Sequence, residues 1–201
     1  MTANTLARLK ITLDDVKPEV LRRIVVPLDI QLNRLHLTIQ VAMGWTNSHL
    51  YEFRLGKIRW GEPGLDGDWE DNPLDASKMT LADMIEAAGT KPFKYVYDFG
   101  DGWEHTIKAE RQLEFVPGDT ITWLVDAKRS CPPEDVGGPY GYAEFLEAIA
   151  DPKNDRHDEL LEWAGPNFDP GKVDKKRIES QLESLAKSWS KKPKAKRSPK
   201  K

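Results

Sequence analysis

The 201-residue chain holds one cysteine, Cys131. A lone thiol excludes an internal disulfide framework, and a reducing cytoplasm is the compartment it points to. No apolar run approaches the roughly 20 residues that a membrane-spanning helix needs. The segment from Met1 to Leu9 lacks the basic-then-apolar pattern of a secretory signal. A cytoplasmic protein without membrane association is therefore expected. Familiar catalytic signatures are missing too. There is no CxxC, HExxH or EF-hand pattern, and no GxSxG elbow. The stretch from Gly165 to Lys172 resembles a phosphate loop only superficially. It has one residue too many, and Val173 stands where Ser or Thr would hold magnesium. Pro132 and Pro133 follow Cys131 directly, which denies that thiol the helix N-terminus that commonly activates a nucleophilic cysteine.

Acidic residues are absent from the end of the chain. From Lys187 onward there are eight Lys or Arg and no Asp or Glu. The net charge of −3 thus hides a body, residues 1–186, with 22 basic and 33 acidic residues, a net of −11. Such a body repels phosphate backbones. Lys191, Lys192, Lys194, Lys196, Arg197, Lys200 and Lys201 attract them, without any means of reading bases. A disordered, solubilising end explains the same composition. The expected organisation is one domain over residues 1–189 and a disordered basic tail over 190–201.

What the chain does contain is a core. Hydrophobic residues make up 39%, with seven Trp, six Phe and five Tyr. Alternation at Leu9, Ile11 and Leu13 predicts a strand, and Val20 to Val26 a second that pairs with it as a hairpin. Leu32, Leu35, Ile39 and Met43 recur at helical spacing, with Gly44 as the stop. A third strand places His49, Tyr51, Phe53 and Leu55 on one face. Residues 61–77, with four acids between Asp66 and Asp71, read as a solvated loop, and Trp69 within it offers an aromatic anchor for a protein partner. Thr80 caps a short helix ending at Gly89. Phe93, Tyr95 and Tyr97 alternate into a strand, the segment from Phe99 to Gly102 turns, and Trp103, His105, Ile107 and Ala109 return. Thr120 to Val125 is a further strand. Helices follow over Tyr142 to Ala150 and Asp158 to Trp163. Asp174 caps a last helix striped by Ile178, Leu182, Leu185 and Trp189. The fold class is α+β: a mostly antiparallel sheet with helices packed against it, in a single domain.

Two loops concentrate the chemistry. Tyr97-Asp98-Phe99-Gly100-Asp101-Gly102-Trp103-Glu104-His105 brings carboxylates and an imidazole to a tight turn. Asp98, Asp101 and His105 suit a divalent metal or acid–base chemistry. Asp and Gly are equally what a tight turn requires, and His105 shares a face with Trp103 and Ile107. Cys131-Pro-Pro-Glu-Asp-Val-Gly-Gly138 adds Glu134 and Asp135, as ligands, as contacts for a basic partner, or as caps for the next helix.

These blocks carry a resemblance. Leu35-His36, Ala42-Met43-Gly44-Trp45, His49-Leu50-Tyr51-Glu52-Phe53, the Tyr97–Asp101 loop with Trp103, His105 and Glu110, and the Cys131–Gly138 loop with Gly141-Tyr142 are together similar to the plasmid pRiA-type Orf-three-like family. That family also carries the name insertion-sequence passenger protein of the TnpR type. The likeness runs from about Leu9 to Leu185. It implies a compact α+β domain found in bacteria and archaea, often beside mobile elements, in a family with no assigned activity. A resolvase role in the ordinary sense is not supported. No catalytic serine context stands near an N-terminal strand end, and no Arg-His-Arg-Tyr set is present. The family's blocks assemble His49, Asp98, Asp101, His105, Glu134 and Asp135 as a candidate cluster, either a site or a hydrogen-bond network. His49, Asp98, Asp101 and His105 are its candidate metal ligands. Three functions compete: a mobile-element accessory or nucleic-acid-associated binding module, a metal-dependent, hydrolase-like enzyme using a divalent ion, and a protein-interaction domain.

Overall fold

The computed structural model describes residues 5–64, 72–114, 122–165 and 168–190. The alternation at the N-terminus becomes β1 (Thr5–Leu13), with Leu9, Ile11 and Leu13 buried. It pairs antiparallel with β2 (Leu21–Pro27), Leu9 opposite Ile24, as the hairpin reading expected. Helix α1 (Leu32–Met43) buries Leu32, Leu35, Ile39 and Met43. It ends because Gly44 takes φ 95° and returns its N–H to the Gln40 carbonyl, a conformation that costs a residue without Cβ little. Next come β3 (Tyr51–Leu55) and β4 (Ile58–Gly61). The short strand β5 (Leu74–Asp75) and a 3-10 turn (Ala76–Lys78) precede α2 (Leu81–Ala88). Thr80 caps α2 through a reciprocal box with Asp83. The hairpin of β6 (Phe93–Tyr97) and β7 (Trp103–Glu114) is followed by β8 (Trp123–Lys128), α3 (Gly138–Ala150), α4 (His157–Ala164) and α5 (Lys175–Ser190).

All eight strands join one sheet in the order β5-β4-β3-β6-β7-β1-β2-β8. Each pairing is antiparallel except β4 with β5. The α+β reading with a mostly antiparallel sheet therefore holds. One core cluster spans the sheet and the helices, from Leu9 and Phe53 to Phe145 and Leu182. On the sheet's other side, charges pair across strands. Arg8 Nε lies 2.8 Å from Glu110, Arg23 Nε 3.0 Å from the same carboxylate, and Lys94 Nζ 2.7 Å from Asp14. Partly exposed pairs of this kind contribute about 0–1 kcal/mol each, so burial holds the sheet and the ion pairs keep its outer side wet.

Several expectations need correction. The strand expected at Thr120 to Val125 lies at Trp123–Lys128, and residues 115–121 fall outside the described ones. The expected loop 61–77 carries the last residue of β4, then β5 and the start of the 3-10 turn. Its Trp69 and the acids Asp66 to Asp71 lie outside the described residues, as do residues 191–201 with the cationic tail. His49 precedes β3 rather than sitting on it, and α3 starts at Gly138, earlier than the sequence suggests, with a Pro in its first turn. The stripe of α5 rotates slightly: Ile178, Leu182 and Ala186 are buried, while Leu185 and Trp189 are only partly so. Asp174 does cap that helix, accepting from Arg177 N at 3.0 Å.

Arg22 shows how the layers are tied. Its side chain is 1% exposed, yet it meets backbone carbonyls and a thiol rather than a carboxylate. Nε donates to Ala42 O at 2.7 Å, Nη1 to Leu21 O and Lys128 O, and Nη2 to Cys131 Sγ at 3.2 Å. The cation thus faces the negative end of α1's dipole while locking β2, β8 and the Cys131 loop together.

Candidate metal centre

Three loops meet at one end of the sheet: residues 44–50, 98–102 and 131–138. Each is held there by hydrogen bonds to a neighbouring loop. In the first, Trp45 Nε1 donates to Pro132 O at 3.0 Å, which joins it to the third. His36, on the inner face of α1, bonds Tyr95 Oη through Nδ1 at 2.7 Å and Asn47 Oδ1 through Nε2 at 2.6 Å. Gln40, one turn later, donates to the same Tyr95 hydroxyl at 3.0 Å and accepts from Asn47 N at 3.1 Å. These bonds fix the tautomer: Nε2 carries the proton for Asn47, and Nδ1 accepts from the tyrosine. Burial lowers the His36 pKa to about 4, against the raising effect of the Asn47 bond. The imidazole is therefore neutral at pH 7.

Tyr97 and Glu134 form the second tie. The Tyr97 hydroxyl donates to Glu134 Oε1 at 2.5 Å and accepts from Ser48 N at 3.0 Å and His49 N at 3.4 Å. Glu134 Oε2 accepts from Thr46 N at 3.1 Å and from the Thr46 hydroxyl. Burial first, and then the Glu134 bond, raise the Tyr97 pKa, so the phenol stays a donor. Glu134 is thus fully engaged in holding the His49 loop.

The turn between β6 and β7 supplies the next part. Asp98 sits at φ 57° and is 7% exposed. Its Oδ1 accepts from Gly100 N at 3.0 Å and Asp101 N at 3.3 Å, closing the turn. That leaves Oδ2 toward His49, whose Nε2 lies 3.6 Å away. Asp135, at φ 60° on the third loop, brings Oδ1 to 3.2 Å from the same nitrogen. His49 Nε2 is sealed from solvent, yet it makes no hydrogen bond to either oxygen. Among the described residues, His49, Asp98 and Asp135 are the group of three whose ligand atoms converge, all within 4.8 Å of one another.

The remaining candidates fall elsewhere. Asp101 binds the third loop instead, its Oδ2 accepting from Gly137 N at 3.2 Å. Gly138, at φ 69°, packs so closely on the Asp101 carbonyl that a Cβ would collide with it, which explains the glycine there. His105 is wholly buried on the core face of β7, its Nδ1 3.2 Å from Tyr95 O and its ring edge-on to Trp45. Burial lowers its pKa to about 4. The six sequence candidates therefore divide into a triad (His49, Asp98, Asp135), two loop ties (Asp101, Glu134) and a core histidine. Sequence reasoning missed His36, Gln40, Asn47 and Tyr97 as supports. One signal for them was present: polar residues four apart, His36 and Gln40, on the apolar face of α1.

The arrangement is one His nitrogen and two carboxylate oxygens presented by loops that are braced from behind. Residues 5–177 match the family described as plasmid pRiA4b ORF-3-like protein. The chain belongs to that family. It is 49% identical over 193 residues to "Uncharacterized protein y4hQ" of Sinorhizobium fredii (strain NBRC 101917 / NGR234), covering 96% of this chain and 98% of that one. It is also similar to the crystal structure of a protein of unknown function, MM3350, from Methanosarcina mazei Go1. That similarity has a TM-score of 0.76 at 30% identity, covering 87% of this chain and 98% of the other. The family is thus shown across nearly the full length, and neither relative's name states an activity. Among the described residues, no helix is long and apolar enough to cross a membrane.

Proposed function

We propose that this ORF-3-like protein holds a divalent transition-metal ion between His49, Asp98 and Asp135 and uses it for hydrolytic chemistry. One observation carries the reading: a sealed imidazole nitrogen without a hydrogen bond, facing two carboxylate oxygens at 3.2 and 3.6 Å. Ligands bound about 2.1 Å from one ion stand about 3–4 Å apart, which these contacts match. Mixed nitrogen and oxygen donors suit zinc or manganese better than calcium. Three protein ligands leave a coordination position for water, as catalytic centres do. A bound ion would lower the pKa of that water and polarise a substrate carbonyl or phosphoryl oxygen. Asp135, with a side chain 74% exposed, opens the site to solvent.

The test is metal retention. Protein dialysed against each ion in turn should keep about one equivalent of zinc or manganese and melt higher with it. His49→Ala and Asp135→Asn should lose both effects while staying folded. A wild-type protein that retains no ion and shows no thermal shift refutes the reading. It leaves the three groups as a polar cluster that ties the loops together.

A second reading rests on the cationic end. The seven Lys and Arg of residues 191–201 would draw the protein to nucleic acid, in keeping with an accessory role beside mobile elements in the cytoplasm. Removing residues 191–201 should then abolish retention on DNA at low salt; unchanged retention sinks the idea.

A further inference from the structure

A cleft of about 770 Å³ opens beside the triad, and His49 lines both. Its volume is that of a small-molecule site. Its lining comes from α1 with Asn33 and His36, from β3 with Tyr51, and from Glu62 and Asp75. The His36 and Tyr51 rings stack face to face, with centroids 3.6 Å apart and planes within 4°, a nearly buried pair that joins the α1 and β3 sides of the cleft.

The charge of this cleft has one sign. Among the described residues, no Lys or Arg lines it. His36 is neutral at pH 7, as its burial requires. Asp75 is kept ionised by its bonds to Ser77, chiefly the side-chain bond and then the backbone N–H at 2.8 Å. Glu62 and Asp75 both line the cleft together with Tyr51. Lys78 acts on Asp75 from outside the lining. On the α1 wall, the Asn33 side-chain oxygen is buried with no donor among the described residues. The lining therefore offers acceptors and negative charge with no cation, the surroundings that favour an ammonium or guanidinium group.

We infer that this cleft recognises a substrate by a cationic ammonium or guanidinium group, held at the Glu62 and Asp75 end, with the remainder of the substrate directed at His49. This deepens the metal-centre reading by naming its substrate class, and rests on it only for what happens at the His49 end. The same charge disfavours phosphate esters, which would have to approach both carboxylates.

The test uses metal-free protein, so that its outcome is independent of whether a metal binds. Calorimetric titration at low salt would compare agmatine, N-acetyl-lysine amide and the neutral N-acetyl-norleucine amide. Both cations should bind and the neutral compound should not. Glu62→Gln, on an exposed residue, and Asp75→Asn, which keeps an acceptor for Ser77, should each weaken the cation by about tenfold, and the pair by more. Tighter binding of the lysine derivative would mark a peptide substrate, and tighter agmatine a small amine; either supports the class. Absence of binding by both cations, equal binding of the norleucine compound, or wild-type affinity in the double variant overturns it. A protein that passes this test and retains no metal loses the hydrolytic reading alone.

Discussion

Replacing Tyr97 with Phe removes one oxygen and should disturb both stability and the His49 loop. That hydroxyl donates to Glu134 at 2.5 Å and accepts from Ser48 N at 3.0 Å, in a side chain with no solvent exposure. The ring itself stays, stacked on Trp45 at 5.0 Å, so packing loss is small. What is lost is a bond to a carboxylate, a bond to the Ser48 backbone N–H and a long, weak one to the His49 N–H at 3.4 Å. A charge-assisted bond contributes about 1.5–3 kcal/mol and a neutral one about 1, so the expected cost is about 3 kcal/mol. Glu134 keeps Thr46 through its other oxygen, which holds the figure below the sum of two orphaned groups. For a domain of this size, each kcal/mol moves Tm by about 2–4 °C, giving a fall of about 6–12 °C by calorimetry. The second readout is metal affinity. Ser48 and His49 lose their anchor, and His49 Nε2 no longer stands fixed between Asp98 and Asp135. Zinc affinity should drop about 10–100-fold, the range for removing an outer-shell support. A Tm within about 2 °C of wild type would refute the claim that this hydroxyl braces the loop. A lower Tm with unchanged zinc affinity would separate the bracing from the site and refute the positioning argument.

Acid should destabilise the fold through His36 and His105. Both have folded pKa values lowered to about 4 by burial, so between pH 6.5 and about 4 the unfolded chain takes up protons that the native state refuses. Stability present above pH 6.5 is lost as pH falls through that window, by about 3 kcal/mol per histidine. Urea denaturation across the range measures it, and ring NMR signals assigned to His36 or His105 that titrate near pH 6.5 would contradict it. Gly138→Ala should cost about 2–4 kcal/mol, since it adds a Cβ against the Asp101 carbonyl at φ 69°, and should part the two loops. A thermal melt unchanged from wild type would show that the loops do not depend on this contact.

Local patterns in the sequence carried much of the fold. Period-two alternation placed β1, β6 and β7, and helical spacing with Gly44 placed α1 to its last residue. Thr80 with Gly89 announced α2, and Asp174 announced α5. These signals are local because caps, turns and amphipathic faces are set within a few residues of chain. Strand β5 escaped because two residues leave no period to read, and its parallel pairing with β4 depends on tertiary contact alone.

The candidate site divides along the same line. The sequence by itself determined that carboxylates and histidines sit in two turn-prone loops, because Asp and Gly are what such turns demand. It had no means of deciding which of them meet. The alternation with Trp103 and Ile107 already pointed His105 toward the core, but Asp98 and Asp101 look equivalent in the chain; the turn geometry spends one Asp98 oxygen and aims the other at His49, and Asp101 is drawn to Gly137. Asp135 joins His49 only because Trp45, Glu134 and Arg22 pull the third loop onto the first helix and the sheet. The triad spans 86 positions of chain from His49 to Asp135. A contact over that separation is fixed by buried hydrogen bonds and packing, which only the folded structure supplies.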